Sequence, residues 1–137
     1  MKKILLIDDS DTYTWCLKIY LQHRGYPVKT ACTLKEARAA IQEEMPLVVC
    51  CDLDLPDGSG MDFLDEVRAA DKELPFVLAS CHDKDDYEQE AMRRGATLCI
   101  QTERIANGLQ LQSSAFYRMK LTPEHWSRAS RQRPISN

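Results

Sequence analysis

The sequence predicts an α/β fold in which helices cover both faces of a five-stranded parallel sheet. Short apolar runs alternate with segments of helical periodicity from the first residues to about residue 120. Residues 47–51 are apolar throughout, which is typical of a strand buried on both faces. Five strands that alternate with five helices indicate a doubly wound sheet. A chain of 137 residues suits one such domain.

The first three elements are a strand, a helix and a second strand. Residues 3–7 form an apolar run that ends in two aspartates, as a strand ends at the rim of a sheet. Apolar positions in residues 12–24 recur with helical spacing, and Gly25 ends that helix. Residues 28–31 predict the second strand.

The second helix has an N-terminal signature in the sequence. Thr33 is its predicted N-cap, and Glu36, three positions later, completes a capping box. The helix is expected to run through residue 44 and to be followed by the strand at residues 47–51. Its predicted inner face consists of Leu34, Ala37, Ala40 and Ile41.

A turn separates the third strand from the third helix. Residues 56–58 read Pro-Asp-Gly, which is turn chemistry. Residues 60–70 predict a helix with Phe63, Leu64 and Val67 facing inward. The apolar run at residues 76–79 predicts the fourth strand.

The last elements are more charged. Residues 84–94 predict a charged helix that carries Tyr87, Ala91 and Met92 and ends near Gly95. The fifth strand is predicted at residues 97–101 and the fifth helix at residues 104–120. We expect a folded domain over residues 1–121 and a polar, basic and flexible tail over residues 122–137.

Composition and charge exclude several classes of protein. The chain is 44% hydrophobic and 28% charged, as in ordinary globular proteins, and its net charge of -3 provides no overall field for binding nucleic acid or an anionic membrane. No apolar run approaches the roughly 20 residues that span a bilayer. The apolar stretch after Met1 ends at Asp8, too early for a secretory signal. We therefore expect a cytoplasmic protein that binds neither membrane nor nucleic acid.

Six cysteines occur without CxxC or zinc-type spacing. The chain has enough apolar residues to fold without disulfide bonds, so we expect reduced thiols, most of them buried in the core. The cysteines are Cys16, Cys32, Cys50, Cys51, Cys81 and Cys99.

Polar side chains stand at the ends of the predicted strands, where doubly wound sheets bind ligands. These residues are Asp8, Asp9, Asp52, Ser80 and Thr102. The three aspartates and Ser80 each have an ordinary interpretation as a rim charge, a cap or a turn residue. Together, however, Asp8, Asp9 and Asp52 would form a group of like charges that a Mg2+ ion neutralises.

An aspartate beside Mg2+ is a possible nucleophile toward phosphorus. Asp52 would then form an aspartyl phosphate, while the metal offsets charge on the phosphoryl oxygens. The Ser80 hydroxyl would donate a hydrogen bond to one of those oxygens. The sequence therefore predicts a site that accepts a phosphoryl group.

Four segments resemble the receiver domains of two-component response regulators. Residues 4–9 resemble the family's first strand and acidic pair, and residues 52–60 resemble its phosphoacceptor segment, the most specific motif in the chain. Residues 74–80 are similar to its fourth strand with a terminal hydroxyl, and Gly95-Ala96 to the pair before its fifth strand. The resemblance covers residues 2 to about 120 and implies a flavodoxin-like receiver fold.

The resemblance implies a role for each matching residue. Asp52 would accept a phosphoryl group from a histidine kinase or phosphotransfer protein. Asp8 and Asp9 would organise Mg2+, with Asp9, Asp52 and the main-chain carbonyl of Asp54 as direct ligands. Ser80 would contact the phosphoryl group. The signal would appear on the face formed by the fourth helix, fifth strand and fifth helix, where receivers often dimerise.

Three positions depart from the family pattern. Thr102 stands where the family has a lysine, and Glu103 where it usually has a proline. Thr102 offers a hydrogen bond but no charge, and neutral hydrogen bonds are roughly half as strong as charge-assisted ones. Cys99 stands at the family's aromatic switch position. Arg104 and Lys84 are candidates for the missing cation.

Asp54 and His82 stand at the two positions that, in the family, tune hydrolysis of the aspartyl phosphate. Each lies two residues after a main site residue, Asp52 or Ser80. We hypothesise that His82 influences the lifetime of the phosphoryl group. The ordinary alternative is an exposed loop histidine.

The preferred function is a single-domain receiver, not an enzyme, that signals to a downstream protein. The alternative is an atypical receiver that binds its partner without phosphorylation, which Thr102 favours. A phosphohydrolase would use Asp54 as its general acid, but the acidic pair and the missing lysine suit turnover poorly. A DNA-binding regulator lacks a helix-turn-helix segment after the receiver.

Overall fold

The five predicted strands join one sheet in the computed structural model, which describes residues 2–80 and 82–101 apart from the side chains of residues 11–13, 16, 84 and 101. The strands are β1 (Ile4–Ile7), β2 (Val28–Ala31), β3 (Val48–Cys51), β6 (Phe76–Ser80) and β7 (Leu98–Gln101). The short strands β4 (Asp54–Leu55) and β5 (Gly58–Ser59) form a separate hairpin. They are all parallel, in the order β2-β1-β3-β6-β7. The predicted fold class is confirmed.

Helices lie on both faces of this sheet. In the described part of the chain they are α1 (Asp11–His23), α2 (Leu34–Glu43), α3 (Gly60–Ala70) and α4 (Glu88–Arg94). Leu17 and Leu21 of α1 pack in one core cluster, whereas the buried residues of α2, α3 and α4 pack in another. The sheet is therefore doubly wound. The helix predicted at residues 104–120 lies outside the described residues.

The sequence signals that predicted the end of α1 and the start of α2 are confirmed, with one correction. Gly25 has a φ of +92°, and its N–H donates to the carbonyl of Gln22 just after α1. Thr33 accepts a hydrogen bond from the Glu36 N–H, as predicted. The Glu36 carboxylate, however, accepts from the N–H of Cys32. The predicted capping box, in which it would bind the N–H of Thr33, is therefore displaced by one residue.

The helix predicted at residues 84–94 is wrong in its first half. Lys84–Asp86 is a 3-10 helix, and α4 begins at Glu88. Tyr87 between them has a φ of -135° and a buried ring, whose hydroxyl donates to the carbonyl of Ile100 at 3.2 Å. Burial of this ring interrupts the helix, which is a tertiary effect that overrides local propensity.

The turn predicted at residues 56–58 closes a short hairpin that the sequence did not predict. Its strands are β4 (Asp54–Leu55) and β5 (Gly58–Ser59), which pair antiparallel. Strands of two residues are too short to show periodicity. This hairpin lies between β3 and α3 and begins two residues after Asp52.

Three cysteines of the described part, Cys50, Cys51 and Cys99, are buried as predicted, whereas Cys32 is exposed. Burial raises the pKa of the Cys50 and Cys51 thiols, so both stay protonated near neutral pH. Among the helices of residues 2–80 and 82–101, none has the length and apolar character needed to cross a bilayer.

Candidate functional site

The site lies where the strand order reverses. From β1 the chain moves to β2 on one side, and from β3 to β6 and β7 on the other. The N–H of Asp52 donates to the carbonyl of Ile7 at 2.9 Å, and that of Asp8 to the carbonyl of Ala31 at 3.0 Å. Asp8 and Asp52 therefore begin at the same edge of the sheet, at its topological switch point.

Three carboxylates converge at this edge. One oxygen from each of Asp8, Asp9 and Asp52 lies within 4.8 Å of the others. Asp8 and Asp52 are partly buried and Asp9 is exposed. The structure thus brings together the three residues that the sequence placed at strand ends.

The pKa of Asp8 is raised to about 7, first because burial disfavours its charged form and further because Asp52 and Asp9 are close. The N–H of Ser10, which donates to the Asp8 carboxylate at 2.8 Å, acts in the opposite direction. Burial also raises the pKa of Asp52, against the hydrogen bond that the Leu53 N–H donates to it at 2.7 Å. The cluster is therefore short of positive charge.

A Mg2+ ion fits this donor set. It prefers oxygen ligands and keeps several waters, so a few carboxylates on one side suffice. Its charge would also offset the repulsion from Asp52 and Asp9, which adds to the effect of burial on the pKa of Asp8. Asp54 follows two residues after Asp52, in β4, and its main-chain carbonyl is the further Mg2+ ligand that the resemblance implies.

Ser80 ends the neighbouring strand. Cys51 of β3 pairs with Leu78 of β6, so Ser80 lies one residue further along the edge than Asp52. Its side chain is buried, and its hydroxyl oxygen accepts from the N–H of His82 at 3.3 Å. This bond uses a lone pair of the oxygen and not the hydroxyl proton, so it does not prevent Ser80 from donating that proton to a ligand.

Asp54 and His82 form a hydrogen-bonded pair near Asp52, although 28 residues separate them in sequence. Both side chains are more than half exposed. The pKa of His82 is raised first by its hydrogen bond to Asp54 and then by that carboxylate's charge, with a smaller contribution from Asp52. The sequence singled out both residues but not their contact.

Gly60 closes the loop that leaves Asp52. Its N–H donates to the carbonyl of Leu53 at 2.8 Å, and a Cβ at this position would lie 2.0 Å from the main-chain oxygen of Asp52. The backbone of α3 thus touches that of the candidate phosphoacceptor, which requires a glycine. Thr102, Glu103 and Arg104 lie outside the described residues, so their proposed effects stay predictions.

Comparison with known proteins accounts for this arrangement. The response regulator receiver domain family matches residues 4–105. The chain belongs to this family. The receiver is 29% identical over 91 residues to the regulatory protein LuxO of Vibrio vulnificus, and 28% identical over 96 residues to the virulence transcriptional regulatory protein PhoP of Salmonella typhimurium. These matches cover 66% and 70% of the chain but 20% and 43% of the relatives, well under two thirds of their length.

A solved structure extends the likeness along the fold. The beryllofluoride-activated NtrC4 receiver domain dimer matches with a TM-score of 0.76 and 27% identity, over 95% of this chain and 99% of that one. The receiver therefore belongs to two-component signalling. Receiver domains generally bind Mg2+ through an acidic cluster, and Asp8, Asp9 and Asp52 form such a group here.

Proposed function

We propose that Asp52 accepts a phosphoryl group from a histidine kinase or phosphotransfer protein, and that the receiver then signals in the cytoplasm by binding a downstream protein. The observation that carries this proposal is the cluster of Asp8, Asp9 and Asp52 at the switch point of the sheet. The buried hydroxyl of Ser80 at the next strand end supports it. This is a signalling domain and not an enzyme that turns over phosphate esters.

The proposed reaction is an in-line displacement at phosphorus. A carboxylate oxygen of Asp52 forms the new O–P bond, while the bond from phosphorus to the donor nitrogen breaks and the donor imidazole takes up the electron pair. The N–H of Leu53 donates to the Asp52 carboxylate and fixes its orientation. The Ser80 hydroxyl donates to a phosphoryl oxygen.

The residues that would hold Mg2+ are Asp8, Asp9 and Asp52 with the main-chain carbonyl of Asp54. When bound, the ion supplies positive charge against the phosphoryl oxygens. Thr102, where the family has lysine, supplies none. This substitution supports the alternative proposal, a receiver that binds its partner without phosphorylation.

We place the partner-binding surface around α4, and the partner there is a downstream protein or a second copy of the chain. This proposal is supported by the related NtrC4 receiver domain, which is a dimer in its beryllofluoride-activated form. LuxO and PhoP, the curated relatives, are longer regulatory proteins, so the output of this chain does not transfer from them.

Phosphorylation of Asp52 is tested with a small phosphodonor and intact mass spectrometry. We expect wild type to gain the mass of one phosphoryl group when Mg2+ is present and not when it is chelated. Asp52→Asn should gain none, because its amide is not a nucleophile toward phosphorus. The matched control is Asp62→Asn, which removes an exposed aspartate of α3 and should behave as wild type.

Each contrary result has a distinct meaning. A mass gain in Asp52→Asn would place the phosphoryl group elsewhere and refute the role of Asp52. If wild type gains no mass although calorimetry detects Mg2+ binding, the phosphorylation-independent module replaces the receiver that we propose.

Removing His82 should shorten the lifetime of the phosphorylated receiver. His82 and Asp54 are hydrogen-bonded to each other and lie close enough to Asp52 to interact with it electrostatically, and we expect His82→Ala to give water easier access to the phosphoryl group. We expect hydrolysis to be about 2–10 times faster, which corresponds to the net contribution of one hydrogen bond. The measurement follows loss of the phosphoryl mass with time.

His23→Ala is the control for that experiment, because His23 is an exposed histidine at the end of α1, away from the site. It should hydrolyse at the wild-type rate. A wild-type rate in His82→Ala as well would show that His82 is an ordinary loop histidine.

A further inference from the structure

Asp57, at the tip of the β4–β5 hairpin, binds the N-terminus of a distant helix. Its two carboxylate oxygens accept hydrogen bonds from the main-chain N–H groups of Leu34, at 2.8 Å, and Lys35, at 3.0 Å. These are the first two residues of α2, more than 20 positions earlier in the chain. A carboxylate is favoured there by both the unpaired N–H groups and the helix dipole.

The contact completes the cap of α2. Thr33 satisfies the N–H of Glu36, and Asp57 satisfies those of Leu34 and Lys35. The pKa of Asp57 is lowered, chiefly by the bond from Leu34, so the carboxylate stays ionised at neutral pH. The cap of α2 is thus shared between a residue of its own segment and a residue of the phosphoacceptor loop.

The same contact fixes the hairpin that carries Asp54. Asp57 lies in the two-residue connection between β4 and β5, and Asp54 pairs with Ser59 at the open end of the hairpin. Two-residue strands do not hold a position by themselves. Gly58 packs so closely on α2 that an added Cβ would lie 2.9 Å from the Cδ1 of Leu34. The tip is therefore seated on the helix, and the base is tied to Asp52 through Leu53 and Gly60.

From these contacts we infer that Asp57 is a positioning residue of the phosphoryl site, which holds the main-chain carbonyl of Asp54 where it serves Mg2+. This inference rests on the proposed function and adds a residue that touches neither metal nor phosphorus. Without the anchor at its tip, the hairpin has more conformations, and the Asp54 carbonyl reaches its binding position in a smaller fraction of them. The apparent Mg2+ affinity is proportional to that fraction and therefore falls with it.

The experiment compares two ways of uncapping α2 in the full chain. Asp57→Ala removes the cap and the anchor, whereas Thr33→Ala removes a cap and leaves the anchor in place. Both should lower the melting temperature, by roughly 5 °C. In calorimetry at pH 8, Asp57→Ala should bind Mg2+ about tenfold more weakly, as is usual for loss of a supporting contact. Thr33→Ala should bind it as wild type does.

Asp57→Asn provides the conservative comparison. Its one amide oxygen can accept from one of the two N–H groups, so its Mg2+ affinity should lie between those of wild type and Asp57→Ala. Hydrogen exchange measures the two hydrogen bonds to residue 57 directly and needs no metal. The amides of Leu34 and Lys35 should lose protection in Asp57→Ala and keep part of it in Asp57→Asn.

The outcomes separate this inference from the proposed function. Asp57→Ala could bind Mg2+ as tightly as wild type although the amides of Leu34 and Lys35 have lost their protection from hydrogen exchange. That result would overturn the inference alone and leave Asp57 as a helix cap. Equal losses of affinity in Asp57→Ala and Thr33→Ala would also overturn it, because they would trace the effect to α2. A wild-type protein that binds no Mg2+ would overturn the proposed function together with the inference.

Discussion

Gly60→Ala is expected to lower the free energy of unfolding by more than about 3 kcal/mol and to disrupt Mg2+ binding. The new Cβ would lie 2.0 Å from the main-chain oxygen of Asp52 and 3.0 Å from its carbonyl carbon. Backbone atoms cannot rotate away as a side chain does, so either α3 or the phosphoacceptor has to move. Helix propensity alone would favour alanine by about 1 kcal/mol, so the expected sign is opposite to that of an unhindered helical position.

Urea denaturation measures the effect, with Gly25→Ala as the control. Gly25 also has a positive φ, but among the described residues, its two chain neighbours apart, no atom lies within 4 Å of a Cβ added there. We expect that variant to lose about 1–2 kcal/mol from backbone strain and to bind Mg2+ normally. If Gly60→Ala were as stable as wild type, the close approach of α3 to Asp52 would be wrong.

The sequence predicted the sheet edge well because its signals are periodic or local. Fully apolar runs mark the buried strands, and the polar residues that follow them, Asp8, Asp52 and Ser80, stand at one edge of the sheet. In a parallel sheet, the position of each strand end follows from where the apolar run stops. Three carboxylates could therefore be placed together without knowledge of any contact.

Contacts between a side chain and a distant backbone group leave no periodic or local signal in the sequence. Asp57 was identified as a turn residue, and its bonds to Leu34 and Lys35 follow from how the hairpin packs on α2. The pair of Asp54 and His82 likewise exists because two loops from neighbouring strands meet. These contacts depend on tertiary packing, which neither spacing nor propensity records.

The prediction of where α4 begins was wrong for a related reason. The acidic residues after Lys84 are compatible with a helix, and no local signal marks an interruption at Tyr87. The structure shows that reason as a buried ring and a hydrogen bond to Ile100. A strand more than ten residues later therefore determines where the helix begins.

Asp8→Asn is expected to abolish Mg2+ binding and, without Mg2+, to stabilise the fold above neutral pH. The folded-state pKa of Asp8 is about 7, compared with 3.8 for an ordinary aspartate. Burial is the main cause, and Asp52 and Asp9 add to it. A raised carboxyl pKa means that the folded state favours the protonated form, so ionisation of Asp8 costs stability.

The direction of the Asp8 pKa shift determines the pH range over which the stability penalty develops. Below about pH 4, Asp8 is protonated in both the folded and unfolded states and contributes no penalty. Between pH 4 and pH 7 the unfolded state gives up its proton first, so the penalty grows, and above pH 7 it is complete. After allowance for partial solvent screening, we expect a difference on the order of 2 kcal/mol at pH 8. Wild type should lose this stability across the window, and Asp8→Asn should not.

Asp9→Asn separates the two effects. Asp9 is exposed, so its removal should weaken Mg2+ binding without a comparable gain in stability. Thermal unfolding from pH 4 to pH 8, with and without Mg2+, measures both properties in one series, because an ion that binds the folded state raises the melting temperature. If Asp8→Asn were less stable than wild type at pH 8 without Mg2+, the buried charge would not be a cost. The cluster would then owe its geometry to structural bonds rather than to a cation that it is built to hold.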